Sequence, residues 1–128
     1  MIIKQVSVFL QNELGRLEEA TKVLRDNDIN ISALSIAETE GYGILRMIVS
    51  DIDAAAAALK DNEFSVKITD VLRIDAPDVP GAVHSIINKL SDAGIDIAYI
   101  YGYSSNGVAP LIIKVSNPER ADQIINNG

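Results

Sequence analysis

The chain has 128 residues, the length of one ordinary domain or of two very small ones. Hydrophobic residues make up 48% of it, which is enough to build a packed core and argues against disorder of the whole chain. The formal net charge is −7, which argues against binding to nucleic acid and to an anionic membrane, because both need a basic surface.

The composition and the first residues narrow the protein class further. The chain has no cysteine, so disulfides, thiolate nucleophiles and cysteine-ligated zinc are excluded. No apolar run approaches the roughly 20 residues of a membrane-spanning helix. The segment 1–6 lacks the basic and apolar regions of a signal peptide. We therefore expect a cytoplasmic protein.

Strand and helix signals alternate along the first half of the chain. β-Branched and alternating apolar residues predict strands, helical spacing or alanine content predicts helices, and turns separate them. In chain order the predicted elements are strand 3–10, helix 16–27, strand 29–37, strand 44–50, helix 52–60 and strand 64–69.

The second half of the chain repeats the first. A shift of 66 residues, which aligns Gly15 with Gly81, keeps the apolar pattern in register without a gap. It predicts strand 70–76, helix 82–93, strand 95–103, strand 108–115 and helix 118–126. We therefore expect two modules, residues 1–69 and 70–128.

Each module has the order β-α-β-β-α-β, the ferredoxin-like arrangement of helices on a four-stranded antiparallel sheet. The expected fold is α+β, with two such modules packed side by side. No turn separates 64–69 from 70–76, so these strands are expected to run on as one. The second module lacks its last strand, because the counterpart of Phe64 falls beyond the last residue. The long first strand or a second subunit is expected to fill that place, since an open sheet edge invites aggregation.

The turn between the first strand and the first helix is the most informative motif. It reads Asn12-Glu13-Leu14-Gly15 in the first module and Asp78-Val79-Pro80-Gly81 in the second. Glycine permits close backbone approach, and the helix N-terminus that follows offers free N–H groups to a carboxylate. A simpler interpretation makes Asn12 and Asp78 helix caps.

The second strand of each module opens with a related pair, Asn30-Ile31 and Asp96-Ile97. At both motifs the first module has Asn where the second has Asp. Asn can donate to a carboxylate and Asp can accept from an ammonium, so together they suit a free amino acid. Such residues are also typical of turns that lead into a strand.

These motifs resemble the ACT domain. The resemblance consists of the D-x-P-G-x-[LV] turn at 78–83 and Gly94-Ile95-Asp96-Ile97 after one helix, with a looser version at 12–17 and 28–31. It covers almost the whole chain as a tandem pair with no enzyme attached. It implies a regulatory module that binds a small molecule, often an amino acid, at the seam between two ACT units.

The resemblance also implies which residues hold the ligand. They belong to the two turns and the two strand openings: Asn12, Leu14, Gly15, Asn30, Ile31, Asp78, Pro80, Gly81, Asp96 and Ile97. As in the serine-regulated phosphoglycerate dehydrogenase type, Asn12 would pair with Asp96, and Asp78 with Asn30. The expected partners are a free amino acid or similar small ligand, a second copy in a homodimer, and an unidentified regulated protein.

Signals for catalysis are few. His84, the only histidine, matches Glu18 of the first module and is expected on the surface. The chain has no P-loop, zincin helix or G-x-S-x-G elbow, so we expect no enzyme, no cofactor and no metal. An acylphosphatase-like hydrolase would need an arginine and a carboxamide, for which Arg16 and Asn30 are a loose match. An RNA-recognition domain shares the topology but needs aromatic strand motifs that the chain lacks.

Three tyrosines favour a different function. Tyr99, Tyr101 and Tyr103 alternate along one strand, so their side chains share a face. That face is interpreted either as core beneath the helices or as a contact surface, which would be a subunit interface or a wall of the ligand site. The second interpretation supports the alternative function, a ligand-independent protein–protein interaction module with an ACT-like fold.

Overall fold

The structure, a computed structural model, describes residues 1–11 and 13–127. Within this part of the chain, strands and helices follow one another in the predicted order. The strands are β1 Ile2–Gln11, β2 Ile31–Thr39, β3 Tyr42–Val49, β4 Ser65–Pro77, β5 Ile97–Gly102 and β6 Val108–Val115. The helices are α1 Arg16–Asp26, α2 Ile52–Asp61, α3 Ala82–Asp92 and α4 Pro118–Asn127. The prediction that 64–69 and 70–76 run on as one strand is confirmed by β4.

The residues form two compact units, and one of them is made of two separate segments of the chain. The first unit is Lys4–Thr69, and the second unit consists of Met1–Ile3 together with the chain from Asp70 onward. In the first unit the strand order is β2-β3-β1, followed by the beginning of β4. In the second unit the order is β5-β6-β4, followed by the beginning of β1. Both orders are those of a ferredoxin-like sheet, so the predicted α+β fold of two such modules is confirmed.

Each unit has its own hydrophobic core between its helices and one face of its sheet. The first core contains, among others, Val6, Val8, Leu24, Leu45, Met47 and Leu59. The second contains Leu72, Ile74, Leu90, Leu111, Ile113 and Val115 among its members. Leu24 of α1 and Leu90 of α3 occupy matching positions of the repeat, and both are fully buried. The matching leucines of α1 and α3 therefore face the two cores in the same way.

The start of β1 occupies the place of the missing last strand in the second unit. The amide of Arg73 donates to the carbonyl of Met1 at 2.8 Å, and the Met1 ammonium donates to the Arg73 carbonyl at 3.1 Å. The same ammonium lies 2.8 Å from the Asp122 carboxylate of α4. Ile2 packs against the core of this unit. Of the two expected fillers, the structure therefore supports the long first strand.

The tyrosines of β5 do not lie in the core beneath the helices, so that interpretation was wrong. Ile97 pairs with Val115 and belongs to the second core. The register then shifts, so that Tyr99 pairs with Lys114 and Tyr101 pairs with Ile112. Neither of these β6 residues belongs to the second core, so both tyrosines lie on the face away from it. An irregularity of this kind turns the following side chains to the opposite face of the sheet.

Candidate functional site

The two turns that precede α1 and α3 have the same backbone structure. Gly15 has φ 92° and Gly81 has φ 87°, and each stands at the N-cap of its helix in the left-handed conformation. The amide of Glu19 donates to the Gly15 carbonyl, and that of Ser85 to the Gly81 carbonyl, both at 2.9 Å. Glycine is needed here because other residues adopt a positive φ only at a cost.

The helix-cap interpretation is wrong for Asp78. Gly81 itself occupies the N-cap of α3, and no side chain caps that helix. The amide of Asp78 instead donates to the carbonyl of Gly107 at 3.1 Å, and its side chain is exposed. The carboxylate of Asp78 is therefore accessible to solvent beside the turn. Asn12, its counterpart, lies outside the described residues.

The same turns expose apolar side chains. Leu14 is fully exposed in the first unit, and Val79 and Pro80 are exposed in the second. Burial of such side chains against a ligand or partner would be favourable, at roughly 25 cal/mol for each Å² of apolar surface covered. The turns thus combine free apolar surface with the N-terminus of a helix.

The openings of β2 and β5 also repeat one another bond for bond. The amide of Asn30 donates to Ser50 Oγ at 2.9 Å, and the amide of Ser50 donates to the Asn30 carbonyl at 2.9 Å. Asp96 and Ser116 make the same two bonds, at 3.1 and 3.0 Å. Both bonds use main-chain atoms of Asn30 and Asp96, and both of these residues are exposed. Their side chains therefore lie at the surface, on a backbone that is held by two hydrogen bonds.

Within one unit, the turn and the strand opening lie at opposite ends of a helix. Gly15 stands before α1, whereas Asn30 and Ile31 follow it. A helix of 11 residues is about 16 Å long, because each residue adds 1.5 Å. The predicted site residues of one unit therefore form two separate groups. The same separation removes the geometric basis for a hydrolase in which Arg16 and Asn30 act together.

The group at Asn30 and Ile31 lines a shallow cavity of about 390 Å³ in the first unit. The other lining residues come from α1 and its C-terminal end: Thr21, Leu24, Arg25, Asp28 and Ile29. Sequence reasoning missed these residues. The signal available in the sequence was an arginine and an aspartate, Arg25 and Asp28, on either side of the helix end that precedes Asn30. They add a cation and a carboxylate beside an apolar floor, which suits a small zwitterion.

Two further observations concern the described part of the chain. None of its helices is both long and apolar enough to cross a membrane. It contains no group of three or more His, Asp or Glu side chains arranged to hold a metal ion. His84 is exposed, as predicted.

The comparisons with known proteins agree with this fold. A family model described as an ACT domain pair matches residues 1–127. The chain is 48% identical to protein BT0572 from Bacteroides thetaiotaomicron, with a TM-score of 0.95, covering 99% of this chain and 88% of that one. No curated protein sequence matches the chain.

More distant solved structures share the fold. The regulatory subunit of aspartate kinase from Thermus thermophilus, in its ligand-free form, is 13% identical, with a TM-score of 0.70, covering 99% of this chain and 96% of that one. The corresponding subunit from Thermus flavus is 12% identical, with a TM-score of 0.71, covering 98% and 92%. The match over 1–127 and the duplicated turn, helix and strand opening lead to one conclusion: the chain belongs to the family of ACT domain pairs.

Proposed function

We propose that this protein is a regulatory module that binds a small molecule, with a free amino acid as the first candidate. The observation that carries the proposal is the match of an ACT domain pair, a regulatory type of domain, to residues 1–127. We further propose that the chain performs no catalysis and acts by changing its interaction with a regulated protein.

The local chemistry supports an amino acid as the ligand. Asp78 and Asp96 present exposed carboxylates that can accept from an ammonium group. Asn30 presents an amide that can donate to a carboxylate, in a cavity that Arg25 also lines. The main-chain bonds at Asn30 and Asp96 would fix the backbone from which these side chains extend, which lowers the entropic cost of association.

The proposal also includes which residues of the two modules hold the ligand together. The pairing of Asn12 with Asp96 and of Asp78 with Asn30, at the seam between the modules, stays a prediction from the sequence. The homodimer and the cytoplasmic location also stay predictions.

The first test is a thermal-shift screen against the twenty amino acids, with nucleotides as controls. A ligand at 100 times its Kd raises the free energy of unfolding by about 2.7 kcal/mol, which raises Tm by several degrees. We expect one amino acid, or a chemically related few, to give such a shift. A flat response to all of them, together with no small molecule retained on purification, would contradict the proposal.

A second measurement tests the strand openings directly. The double variant Asn30→Ala/Asp96→Ala keeps the main-chain bonds to Ser50 and Ser116 and removes only exposed polar groups. We expect its Tm without ligand to match the parent, because exposed substitutions rarely change stability by more than about 0.5 kcal/mol. We expect the amino-acid shift to disappear. An unchanged affinity would exclude these residues from the site.

One observation favours the alternative, a ligand-independent interaction module. Tyr99 and Tyr101 are half-buried on the face away from the second core, and Tyr103 is exposed. Tyrosine is enriched in protein interfaces. Recovery of the same partner from lysate with and without added amino acids would support this alternative over the regulatory one.

A further inference from the structure

The first unit contains a cavity of about 510 Å³ beside the turn that carries Gly15. It lies where the end of β1, the β2–β3 hairpin, the start of β4 and the start of α1 come together. Its lining residues are Phe9, Leu10, Gln11, Arg16, Gly41, Tyr42, Glu63 and Ser65. None of the predicted site residues that the structure describes is among them.

Arg16 is the cation of this cavity, and it is held in a fixed position. Its guanidinium carbon lies 4.2 Å from the centre of the Phe64 ring, which is cation–π geometry. Its Nη1 donates to Glu19 Oε2 at 2.8 Å. Its Nε is buried and has no acceptor among the residues that the structure describes. The side chain is 22% exposed, so a held guanidinium with remaining N–H donors faces the cavity that it lines.

Glu63 is the carboxylate of this cavity, and it stands in a backbone conformation that favours glycine. Its φ is 67°, directly after α2, where its amide donates to the Lys60 carbonyl at 3.0 Å. Gly94 has the same conformation after α3, with φ 73°, although its counterpart in the repeat is Asp28, with φ 57°. Glycine is the usual residue at this position of a helix end. A glutamate in this conformation costs backbone energy, and it places a carboxylate at the cavity.

Two aromatic rings form the apolar wall. The centres of the Phe9 and Tyr42 rings lie 6.1 Å apart with an interplanar angle of 48°. Phe9 is 41% exposed and Tyr42 is 42% exposed, so both rings offer apolar surface to an occupant. Such rings contribute large contact areas at low conformational cost.

We propose that this cavity binds one free α-amino acid with an aromatic or large apolar side chain. The carboxylate of the ligand pairs with Arg16, its ammonium pairs with Glu63, and its side chain lies against Phe9 and Tyr42. The proposal rests on the proposed function in taking an amino acid as the ligand. It adds the residues that hold the ligand, a side-chain preference and a stoichiometry of one per chain.

The stoichiometry follows from the repeat. Arg16, Phe9 and Tyr42 are matched in the second unit by Ala82, Asp75 and Val108. The second unit therefore lacks both the guanidinium and the rings at these positions. A site that depends on them exists once in each chain.

Calorimetric titration with L-phenylalanine and L-leucine tests the proposal. Phenylpropionate, which lacks the ammonium, and phenylethylamine, which lacks the carboxylate, are the matched probes. We expect L-phenylalanine to bind at one equivalent per chain. We expect each probe to bind at least about tenfold more weakly, because each loses one charge-assisted contact.

Two variants locate the site. Arg16→Ala installs the residue that the second unit has at this position, and Glu63→Gly installs the residue that suits the backbone. We expect both to weaken L-phenylalanine binding at least about tenfold. Glu63→Gly should not lower Tm, since glycine relieves the positive φ. Arg120→Ala, an exposed arginine of α4, controls for charge, and Asn106→Gly, with φ 55°, controls for the backbone change.

The outcomes separate the two proposals. If L-phenylalanine binds the parent chain and neither Arg16→Ala nor Glu63→Gly weakens it, the cavity proposal is overturned and the proposed function stands. If the control variants weaken binding as much as these two, the cavity proposal is also overturned. If none of the twenty amino acids binds, the proposed function fails and this inference fails with it.

Discussion

The two units of this protein have matching main chains and different side chains at one end of the sheet. The turns at Gly15 and Gly81 have nearly the same φ, and Ser50 and Ser116 make the same pair of bonds. At the cavity of the first unit, however, Arg16 is matched by an alanine. The duplicated chain has therefore kept these turn glycines and serine bonds. It differs where side chains meet solvent, which is where the two units can acquire separate functions.

The largest expected effect tests whether the two cores are equivalent. Leu24→Ala and Leu90→Ala each remove a fully buried side chain at matching positions. We expect each to lower the free energy of unfolding by about 3 kcal/mol, from lost burial and the cavity left behind. Urea denaturation measures both values. A cost below about 1 kcal/mol for either one would show that its unit tolerates a cavity that the other does not.

A matched surface pair controls for the effect of substitution itself. Glu18→Ala and His84→Ala occupy matching exposed positions of α1 and α3. We expect changes within about 0.5 kcal/mol for each.

An intermediate effect is expected where the edge strands of the two units differ. Gly102 of β5 matches Ile36 of β2. A Cβ at Gly102 would clash with the carbonyl oxygen of Pro110, so β5 and β6 would have to move apart. We expect Gly102→Ala to cost about 2 kcal/mol and Ile36→Ala less than about 1 kcal/mol, because Ile36 is half-exposed. Thermal unfolding measures both, and equal costs would contradict the expectation.

The smallest effect is expected at the turns. At Gly15 and Gly81 an added Cβ meets open space, so the cost of alanine comes from the positive φ alone. We expect Gly15→Ala and Gly81→Ala each to cost about 1 kcal/mol, and asparagine at either place to cost less. Denaturation in urea compares the four variants. Unequal costs at Gly15 and Gly81 would show that one turn has a contact that the other lacks.

Much of the fold was predictable because it depends on local signals that occur twice. Apolar periodicity, β-branched residues, alanine content and turn signals predicted the order of the helices and strands, and the absence of a turn between 64–69 and 70–76 predicted the long strand β4. The face of Tyr99 was not predictable, because it depends on a register shift after Ile97 that no residue type signals. The cap assigned to Asp78 was wrong because a left-handed glycine took the N-cap position.

The candidate sites were predictable only in part, for a related reason. The search for repeats selects positions that the two halves share, and it predicted the turns and strand openings. The cavity at Arg16 exists through differences between the halves. It also joins Phe9 and Glu63, which are far apart in sequence, so only the folded sheet brings them together. The signal available in the sequence was the difference between Arg16 and its counterpart in the second half, Ala82.

Residues 1–3 belong to the second unit, and this has a consequence for synthesis on the ribosome. Met1 is synthesised before its partners Arg73 and Asp122. The first unit can close on itself as soon as Thr69 has emerged, whereas the leading residues must wait for the trailing half of the chain. A fragment that starts at Asp70 would therefore lack part of its own sheet. The two halves, although they repeat each other, depend on one uninterrupted polypeptide.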